Sequence, residues 1–308
     1  MKVLVATEKP FAKAAVDGIR GIVEQAGYQL VLLEKYADKS ELLTAVADVD
    51  ALIIRSDKVT PEVIDAAKNL KIVVRAGAGF DNVDLPAASA RKIVVMNTPG
   101  QNSNAVAELA VGMMIFMARN QFNPGTGSEI MGKTLGIHAY GNVGRLVAKY
   151  GKGFGMTVYA YDPFITDNAV YAKDGVTPVS SVEELYSKSE YVSVHIPATA
   201  ETKKSINYDL LRKLPKNATV VNTARKEVID EDGLVKIMSE RDDIKYATDI
   251  AADIQAILNE KFGLRVFATG KKMGAETKEA NINAALAAAN QIVDFFKNSN
   301  TRFQVNKW

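Results

Sequence analysis

The sequence has 308 residues, of which 47% are hydrophobic and 24% charged, an ordinary globular composition that leaves room for two domains. Its net charge is only +2, so it lacks the basic patch typical of nucleic-acid binding. It has no cysteines, which excludes disulfides, thiol nucleophiles and thiolate metal sites. Its two histidines, His138 and His195, lie in separate strand-like segments, so a zinc site would need mostly carboxylates. No apolar run approaches the ~20 residues of a membrane helix. We expect no metal, no nucleic acid and no membrane partner.

Short aliphatic runs alternate with helix-like stretches from the first residues onward. The strand-like runs are 3–6, 30–33, 51–54, 72–74 and 93–96, and helix-like stretches at 11–25, 40–46 and 61–67 lie between them. This alternation is typical of βαβ units around a parallel sheet. Because the chain enters its first strand without a signal-peptide pattern, we expect a cytoplasmic protein.

A long apolar helix is predicted at about 105–118, before a loop at 120–127. A second alternating series then runs from 134 to about 269, followed by an alanine-rich helix from 276 to about 296. The tail at 302–305 is expected to return to the first unit as a strand. The predicted fold class is α/β, with two doubly wound parallel-sheet domains.

A glycine-rich turn follows the strand predicted at 135–138. It contains Gly141, Asn142, Val143 and Gly144, and a helix begins there. Gly141 would let the backbone approach a pyrophosphate, Gly144 would let the helix pack closely on the strand, and the helix N-terminus favours negative charge. The pattern predicts a dinucleotide site.

Asp162 lies at the end of the next strand, where a carboxylate accepts hydrogen bonds from the adenosine ribose. A carboxylate there also repels a 2′-phosphate, so the sequence predicts NAD rather than NADP. Ala139 replaces the first glycine of G-x-G-x-x-G, which we expect to strain the turn by about 1 kcal/mol. A glycine pattern by itself also fits an ordinary strand-to-helix turn; Asp162 favours the cofactor site.

Several short segments together resemble one family. They are 55–56 (RS), 75–84 (RAGAGFDNVD), 97–99 (NTP), 106–108 (VAE), 161–163 (YDP), 195–197 (HIP), 222–225 (NTAR) and 274–277 (GAET). Their order and spacing resemble those of the D-2-hydroxyacid dehydrogenases over nearly the whole chain, and the first two segments most resemble the phosphoglycerate dehydrogenase branch. The resemblance implies NAD-dependent oxidation of D-3-phosphoglycerate to 3-phosphohydroxypyruvate, the first step of serine biosynthesis, and its reverse.

The resemblance also implies an architecture. A Rossmann-like cofactor domain, residues 98–282, would be inserted in a flavodoxin-like substrate-binding domain, residues 1–97 plus 283–308. A homodimer is expected, with the 106–118 region contributing to its contacts. Longer family members continue into regulatory domains beyond the point where this chain ends, so feedback by serine through such a domain is not expected.

Site residues follow from the resemblance position by position. Arg225 would grip the carboxylate of a small phosphorylated 2-hydroxy or 2-keto acid and polarise its C2 oxygen. Gly77 and Ala78 would present backbone N–H groups to that carboxylate, and Asp249 would orient the nicotinamide carboxamide. The other expected substrate contacts are Arg55, Ser56, Lys58 and Arg75, and the other expected cofactor contacts are His195, Pro197, Thr223 and Ala224. Taken singly, each also fits an ordinary structural or surface role.

The pattern departs from the family at its acid–base residue. Lys272 occupies the position of the usual histidine, and its neighbour Lys271 is an alternative one residue away. The glutamate that normally pairs with the histidine is expected at Ala251 or Ala252, with Asp253 as the nearest carboxylate. Lys272 is therefore the predicted acid–base group, without a glutamate partner.

Three functions stay open at this point. They are a phosphoglycerate dehydrogenase, a reductase for an unphosphorylated 2-keto acid such as glyoxylate or hydroxypyruvate, and an NAD-binding scaffold without catalysis. The presence of Arg55, Arg225 and the 75–84 segment favours an enzyme, because a scaffold needs no clamp for a substrate carboxylate.

Overall fold

The computed structural model describes all residues from Met1 to Trp308. Its strands are β1 (Lys2–Thr7), β2 (Gln29–Glu34), β3 (Ala51–Ile54), β4 (Ile72–Arg75), β5 (Val94–Asn97), β6 (Thr134–His138), β7 (Thr157–Tyr161), β8 (Thr177–Pro178), β9 (Tyr191–Val194), β10 (Thr219–Asn222), β11 (Lys245–Thr248) and β12 (Val266–Ala268). Its helices are α1 (Lys13–Gln25), α2 (Lys39–Ala45), α3 (Pro61–Ala66), α4 (Leu85–Ala90), α5 (Ser103–Ala118), α6 (Asn142–Gly153), α7 (Ala169–Ala172), α8 (Val182–Lys188), α9 (Tyr208–Leu211), α10 (Glu231–Glu240), α11 (Gln255–Phe262) and α12 (Lys278–Asn298). Short 3-10 turns lie at Asn120–Phe122, Lys226–Val228 and Gly263–Arg265.

The chain forms two compact units. The first contains Met1–Asn102 and Glu276–Trp308, and the second contains Ser103–Ala275. The sequence predicts divisions after residues 97 and 282, whereas the structure divides before α5 and before α12. The reason is that α12 is one continuous helix packed on α1, where a Cβ on Gly18 would lie only 2.4 Å from Leu286. All of α12 therefore belongs to the first unit.

The first unit is built on a five-stranded parallel sheet with the order β2-β1-β3-β4-β5, as in flavodoxin-like folds. Its strands are apolar runs because both faces are covered. Val3 and Val5 pack on the face shared with α1 and α12, while Leu4 and Ala6 pack on the face shared with α2, α3 and α4. Val305 in the tail donates its N–H to Val95 over 2.8 Å beside β5.

The second unit is built on a seven-stranded parallel sheet with the order β12-β11-β10-β9-β6-β7-β8. The order reverses between β6 and β9, which is the switch point where Rossmann-type folds bind dinucleotides. Helices α5, α6 and α7 cover one face, and α8 to α11 cover the other. The predicted α/β fold with two doubly wound parallel sheets is confirmed.

None of the helices combines the length and the apolar character that a membrane crossing requires.

Candidate active site

The glycine-rich turn has the geometry that its sequence predicts. Gly141 precedes the first residues of α6, Asn142 and Val143, whose backbone N–H groups lack partners inside the helix. A Cβ added at Gly141 would meet nothing within 4 Å, so its backbone is open to a ligand. A Cβ at Gly144 would lie 2.2 Å from the Ala139 carbonyl oxygen, so Gly144 permits the close packing of α6 on the turn.

Ala139 adopts a left-handed backbone conformation, with φ of +79°. Glycine reaches this region without strain, whereas alanine is destabilised there by about 1 kcal/mol. Asp162 supports the turn from the next strand end: its Oδ2 accepts from the Tyr140 N–H over 2.9 Å, and its Oδ1 accepts from the Phe164 N–H over 3.0 Å. A carboxylate has further lone pairs, so Asp162 can also accept ribose hydroxyls.

Two buried polar atoms at the strand ends of the second unit lack partners within the chain. They are Thr223 Oγ1 after β10 and Asp249 Oδ1 after β11. The other oxygen of Asp249 accepts from the Gly274 N–H over 2.7 Å. Burial raises the pKa of Asp249, against the opposing effects of the Gly274 N–H and of the Lys272 and Arg225 charges. Buried acceptors without partners fit an amide-bearing ligand such as a nicotinamide, because buried polar groups are normally hydrogen-bonded.

Arg225 and Lys272 converge on one backbone oxygen. Arg225 donates to the Ala224 carbonyl over 2.9 Å, and the Lys272 Nζ donates to the same oxygen over 3.3 Å. Buried Asn222 fixes the turn that carries them, since it accepts from the Ala224 N–H over 3.0 Å and donates to the Arg225 carbonyl over 2.9 Å. The candidate carboxylate clamp and the candidate base are thus neighbours.

The stretch where the glutamate partner is expected, residues 249–253, contains two carboxylates, and of these Asp249 interacts with the Lys272 charge. Asp253 is exposed and forms a salt bridge with Lys226 over 2.5 Å. Its backbone N–H donates to Glu231 over 2.9 Å, which directs the segment toward α10. Lys271 and Lys272 are both exposed in this structure.

The two histidines are neighbours, although the sequence places them in separate strand-like segments. The His195 N–H donates to the His138 carbonyl over 2.9 Å because β6 and β9 pair side by side. Burial lowers the pKa of His138 to about 4 and that of His195 to about 3, so both are neutral near pH 7. His195 Nε2 is a further buried atom without a partner in the chain. Pro197, two residues on, is exposed.

In the first unit, Arg55 follows β3 and is held on several sides. Its guanidinium donates to Asn281 Oδ1 over 2.7 Å and to the Lys9 carbonyl over 3.3 Å. It also lies 5.3 Å from the centre of the Phe11 ring. Arg55 is half-buried, so a small anion would meet it at the carboxyl edge of the sheet.

Arg75, the last residue of β4, lies in close contact with Gly77. Arg75 Nε donates to the Arg55 carbonyl over 3.0 Å. Gly77 has a φ of +153°, which residues with a side chain rarely adopt, and a Cβ there would lie 1.7 Å from a guanidinium nitrogen of Arg75, which would have to move. The Gly77 N–H donates to the Arg75 carbonyl over 2.9 Å, and that bond has to open before Gly77 can bind a substrate carboxylate. Ala78 is exposed.

Ser56 and Lys58 are exposed, and Asp57 between them is buried. Asp57 was not identified from the sequence as a residue of this site. Asp57 accepts from the Glu8 N–H over 2.7 Å and from the Tyr36 hydroxyl over 2.8 Å. It thereby fixes the loop that carries the candidate substrate residues. The only sequence signal for this role is an aspartate directly after an apolar strand.

Comparisons with known proteins identify the family. A family model described as D-isomer specific 2-hydroxyacid dehydrogenase, catalytic domain, matches residues 9–306. The crystal structure of NAD+-bound 3-phosphoglycerate dehydrogenase from Entamoeba histolytica matches with a TM-score of 0.89 and 51% identity, covering 100% of this chain and 99% of that one.

Two curated relatives are also similar. Hydroxypyruvate reductase from Thermotoga maritima is 38% identical over 220 residues, 67% of this chain and 70% of the relative. D-3-phosphoglycerate dehydrogenase from Methanocaldococcus jannaschii is 35% identical over 268 residues, 82% of this chain. The match spans only 51% of that relative's length.

The chain therefore belongs to the D-isomer specific 2-hydroxyacid dehydrogenases, a family of NAD-dependent oxidoreductases. The family and the enzyme class predicted from the sequence are confirmed. The individual roles of the site residues, and lysine in place of the catalytic histidine, stay predictions.

Proposed function

We propose that this chain oxidises D-3-phosphoglycerate to 3-phosphohydroxypyruvate with NAD and catalyses the reverse reaction, the first step of serine biosynthesis. The observation that carries the proposal is the meeting of Arg225 and Lys272 at the Ala224 carbonyl. A carboxylate clamp beside a proton-transferring group is what oxidation at C2 of a hydroxy acid requires. The 51% identity to the Entamoeba histolytica 3-phosphoglycerate dehydrogenase supports the choice of substrate.

When bound, NAD would supply the hydride acceptor for oxidation at C2 of the substrate, and NADH the hydride donor for the reverse reaction. Arg225 binds the substrate carboxylate and polarises the C2 oxygen. Neutral Lys272 takes the proton of the C2 hydroxyl during oxidation, and its ammonium form returns the proton during reduction. Asp249 would hold the nicotinamide carboxamide through Oδ1, which has no partner within the chain.

Lys272 acts as a base only in its neutral form. Loss of water on ligand binding and the positive charge of Arg225 both disfavour an ammonium group at Lys272, whereas the Asp249 carboxylate favours it. A glutamate partner, as a second carboxylate beside Asp249, would favour the ammonium form further, which gives a physical reason for alanine at positions 251 and 252 when the acid–base group is lysine.

The phosphate of the substrate is assigned to the cationic edge of the first unit. Arg55 and Arg75 are held together at this edge through the Arg55 carbonyl, and Lys58 is exposed nearby in sequence. These cations supply more positive charge than a bare carboxylate needs, which favours a phosphorylated acid over glyoxylate. A homodimer and a cytoplasmic location remain part of the proposal.

The test is a steady-state assay with 3-phosphohydroxypyruvate, hydroxypyruvate and glyoxylate, each with NADH and with NADPH. We expect the highest kcat/KM with 3-phosphohydroxypyruvate and NADH. A higher kcat/KM with hydroxypyruvate or glyoxylate would favour a 2-keto acid reductase, the activity for which the Thermotoga maritima relative is named. NADH binding without turnover of any of these acids would favour the scaffold.

A further inference from the structure

Tyr140 connects the glycine-rich turn to a residue well outside it. Its side chain is fully buried, and its hydroxyl donates to Asp174 Oδ2 over 2.8 Å. Its ring packs on Tyr171, with ring centroids 4.9 Å apart. Burial and then the bond to Asp174 raise the pKa of Tyr140 above its usual range, so the hydroxyl stays a donor.

Asp174 is itself held in place by α6. Lys152, at the end of α6, donates to the Asp174 carbonyl over 2.6 Å. Arg145, near the start of α6, lies 3.5 Å from Asp174 Oδ2 and 4.9 Å from the centre of the Tyr140 ring. The helix that follows the turn therefore gives Tyr140 a fixed acceptor.

The turn needs such support because Ala139 has a φ of +79°. A residue with a Cβ stays in this region only when its surroundings fix it. The next residue is fixed twice: the Tyr140 N–H donates to Asp162 over 2.9 Å, and the Tyr140 hydroxyl donates to Asp174.

We propose that the hydrogen bond between Tyr140 and Asp174 is a positioning contact for NAD binding, which holds the left-handed turn at Ala139 where the family motif has glycine. It keeps the Gly141 backbone and the N-terminus of α6 in the geometry that receives the pyrophosphate. Asp174 acts through Tyr140 and the turn. The contact consequently matters for affinity only while residue 139 carries a Cβ.

The test measures the dissociation constant of NADH by fluorescence titration of the full chain. Tyr140→Phe removes the hydroxyl and keeps the ring. We expect it to weaken NADH binding about fivefold, because the strained turn is then only partly populated. In an Ala139→Gly background the same change should weaken binding less than twofold. Asp174→Ala should weaken binding at least as much as Tyr140→Phe, because it also removes the contact with Arg145 and leaves the buried Tyr140 hydroxyl without an acceptor. The double variant should lose less than the two single effects combined, since both single changes remove the same hydrogen bond.

Tyr36→Phe is the matched control, because it removes a buried hydroxyl that donates to Asp57 over the same 2.8 Å in the other unit. It should leave the NADH dissociation constant unchanged. A thermal unfolding curve accompanies each titration, since a purely structural role would lower Tm without changing that constant. The proposal is overturned if Tyr140→Phe binds NADH within twofold of the parent, or if its effect is equally large in the Ala139→Gly background.

Discussion

The Arg55 guanidinium donates to Asn281 Oδ1 over 2.7 Å, although the two residues are 226 positions apart in the chain. Asn281 lies in the first turns of α12, and its own side-chain N–H group donates to the Thr277 carbonyl over 2.9 Å. The amide is therefore oriented before it meets Arg55. Asn281 presents the guanidinium in one direction, which favours recognition of an anion of defined geometry.

Loss of Arg55 or of its partner should weaken binding of the phosphorylated substrate selectively. Arg55→Gln should raise KM for 3-phosphohydroxypyruvate about 10-fold or more, and Asn281→Ala about three- to fivefold, from the lost hydrogen bonds. KM for glyoxylate, which has no phosphate, should change less than twofold. Asn298→Ala is the control. Asn298 lies on the same helix, and its side chain donates to Asp294 over 2.6 Å rather than to Arg55. Equal effects on both substrates would refute a phosphate role for Arg55.

Asp162 should set the preference for NAD over NADP. Asp162→Asn keeps the shape of the side chain and removes its charge, which relieves repulsion of the 2′-phosphate. The ratio of kcat/KM with NAD to kcat/KM with NADP should therefore fall by about 10-fold or more. Asp162→Ala should in addition weaken NAD binding, because the Tyr140 and Phe164 N–H groups lose their acceptor. The measurement is steady-state kinetics with both cofactors. Asp167→Asn is the control for the general loss of a negative charge, because Asp167 is an exposed carboxylate in the same loop. Equal or better kcat/KM with NADP in the parent would show the assignment to be wrong.

Lys272 should carry the proton transfer. Lys272→Met should lower kcat by about 100-fold or more, the scale of positioned acid–base catalysis, and leave NADH affinity nearly unchanged. Lys271→Met is the matched control, since it removes an exposed neighbour of the same charge, and it should keep most of the activity. The reverse result would move the role to Lys271. Normal turnover in both variants would exclude the lysine mechanism.

His138 should make the fold sensitive to mild acid. Burial lowers its pKa to about 4, whereas a histidine in the unfolded chain titrates near ~6.5. As the pH falls below about 6.5, the unfolded chain takes up the proton first, so stability that is complete above this pH is lost progressively toward pH 4. Between pH 7 and pH 5 the free energy of unfolding should fall by about 2 kcal/mol from His138 alone.

Urea unfolding at several pH values measures this loss, with His138→Asn as the comparison. The variant should retain the pH dependence due to His195 and lose the part due to His138. If parent and variant lose the same free energy between pH 7 and pH 5, His138 is not the cause.

The sequence by itself determined the fold class and the local geometry of the glycine-rich turn. Parallel strands covered on both faces appear as continuous apolar runs, which is why β3 and β4 are visible without any tertiary information. The turn from Ala139 to Gly144 can also be recognised locally, because each of its requirements falls on one position. Ala139 is left-handed, the backbone at Gly141 is open, and Gly144 allows a close contact between helix and turn.

Only the tertiary structure decided which distant side chains meet. Strand order placed His195 against His138, and the loops after β10 and β12 brought Arg225 and Lys272 to one carbonyl oxygen. The contact between Arg55 and Asn281 could not be predicted from the sequence either, because α12 returns to the first sheet only after the whole second unit has been completed. Periodicity and motifs report the local environment of each residue, whereas these contacts depend on strand order and loop path, which are set by packing of the complete chain.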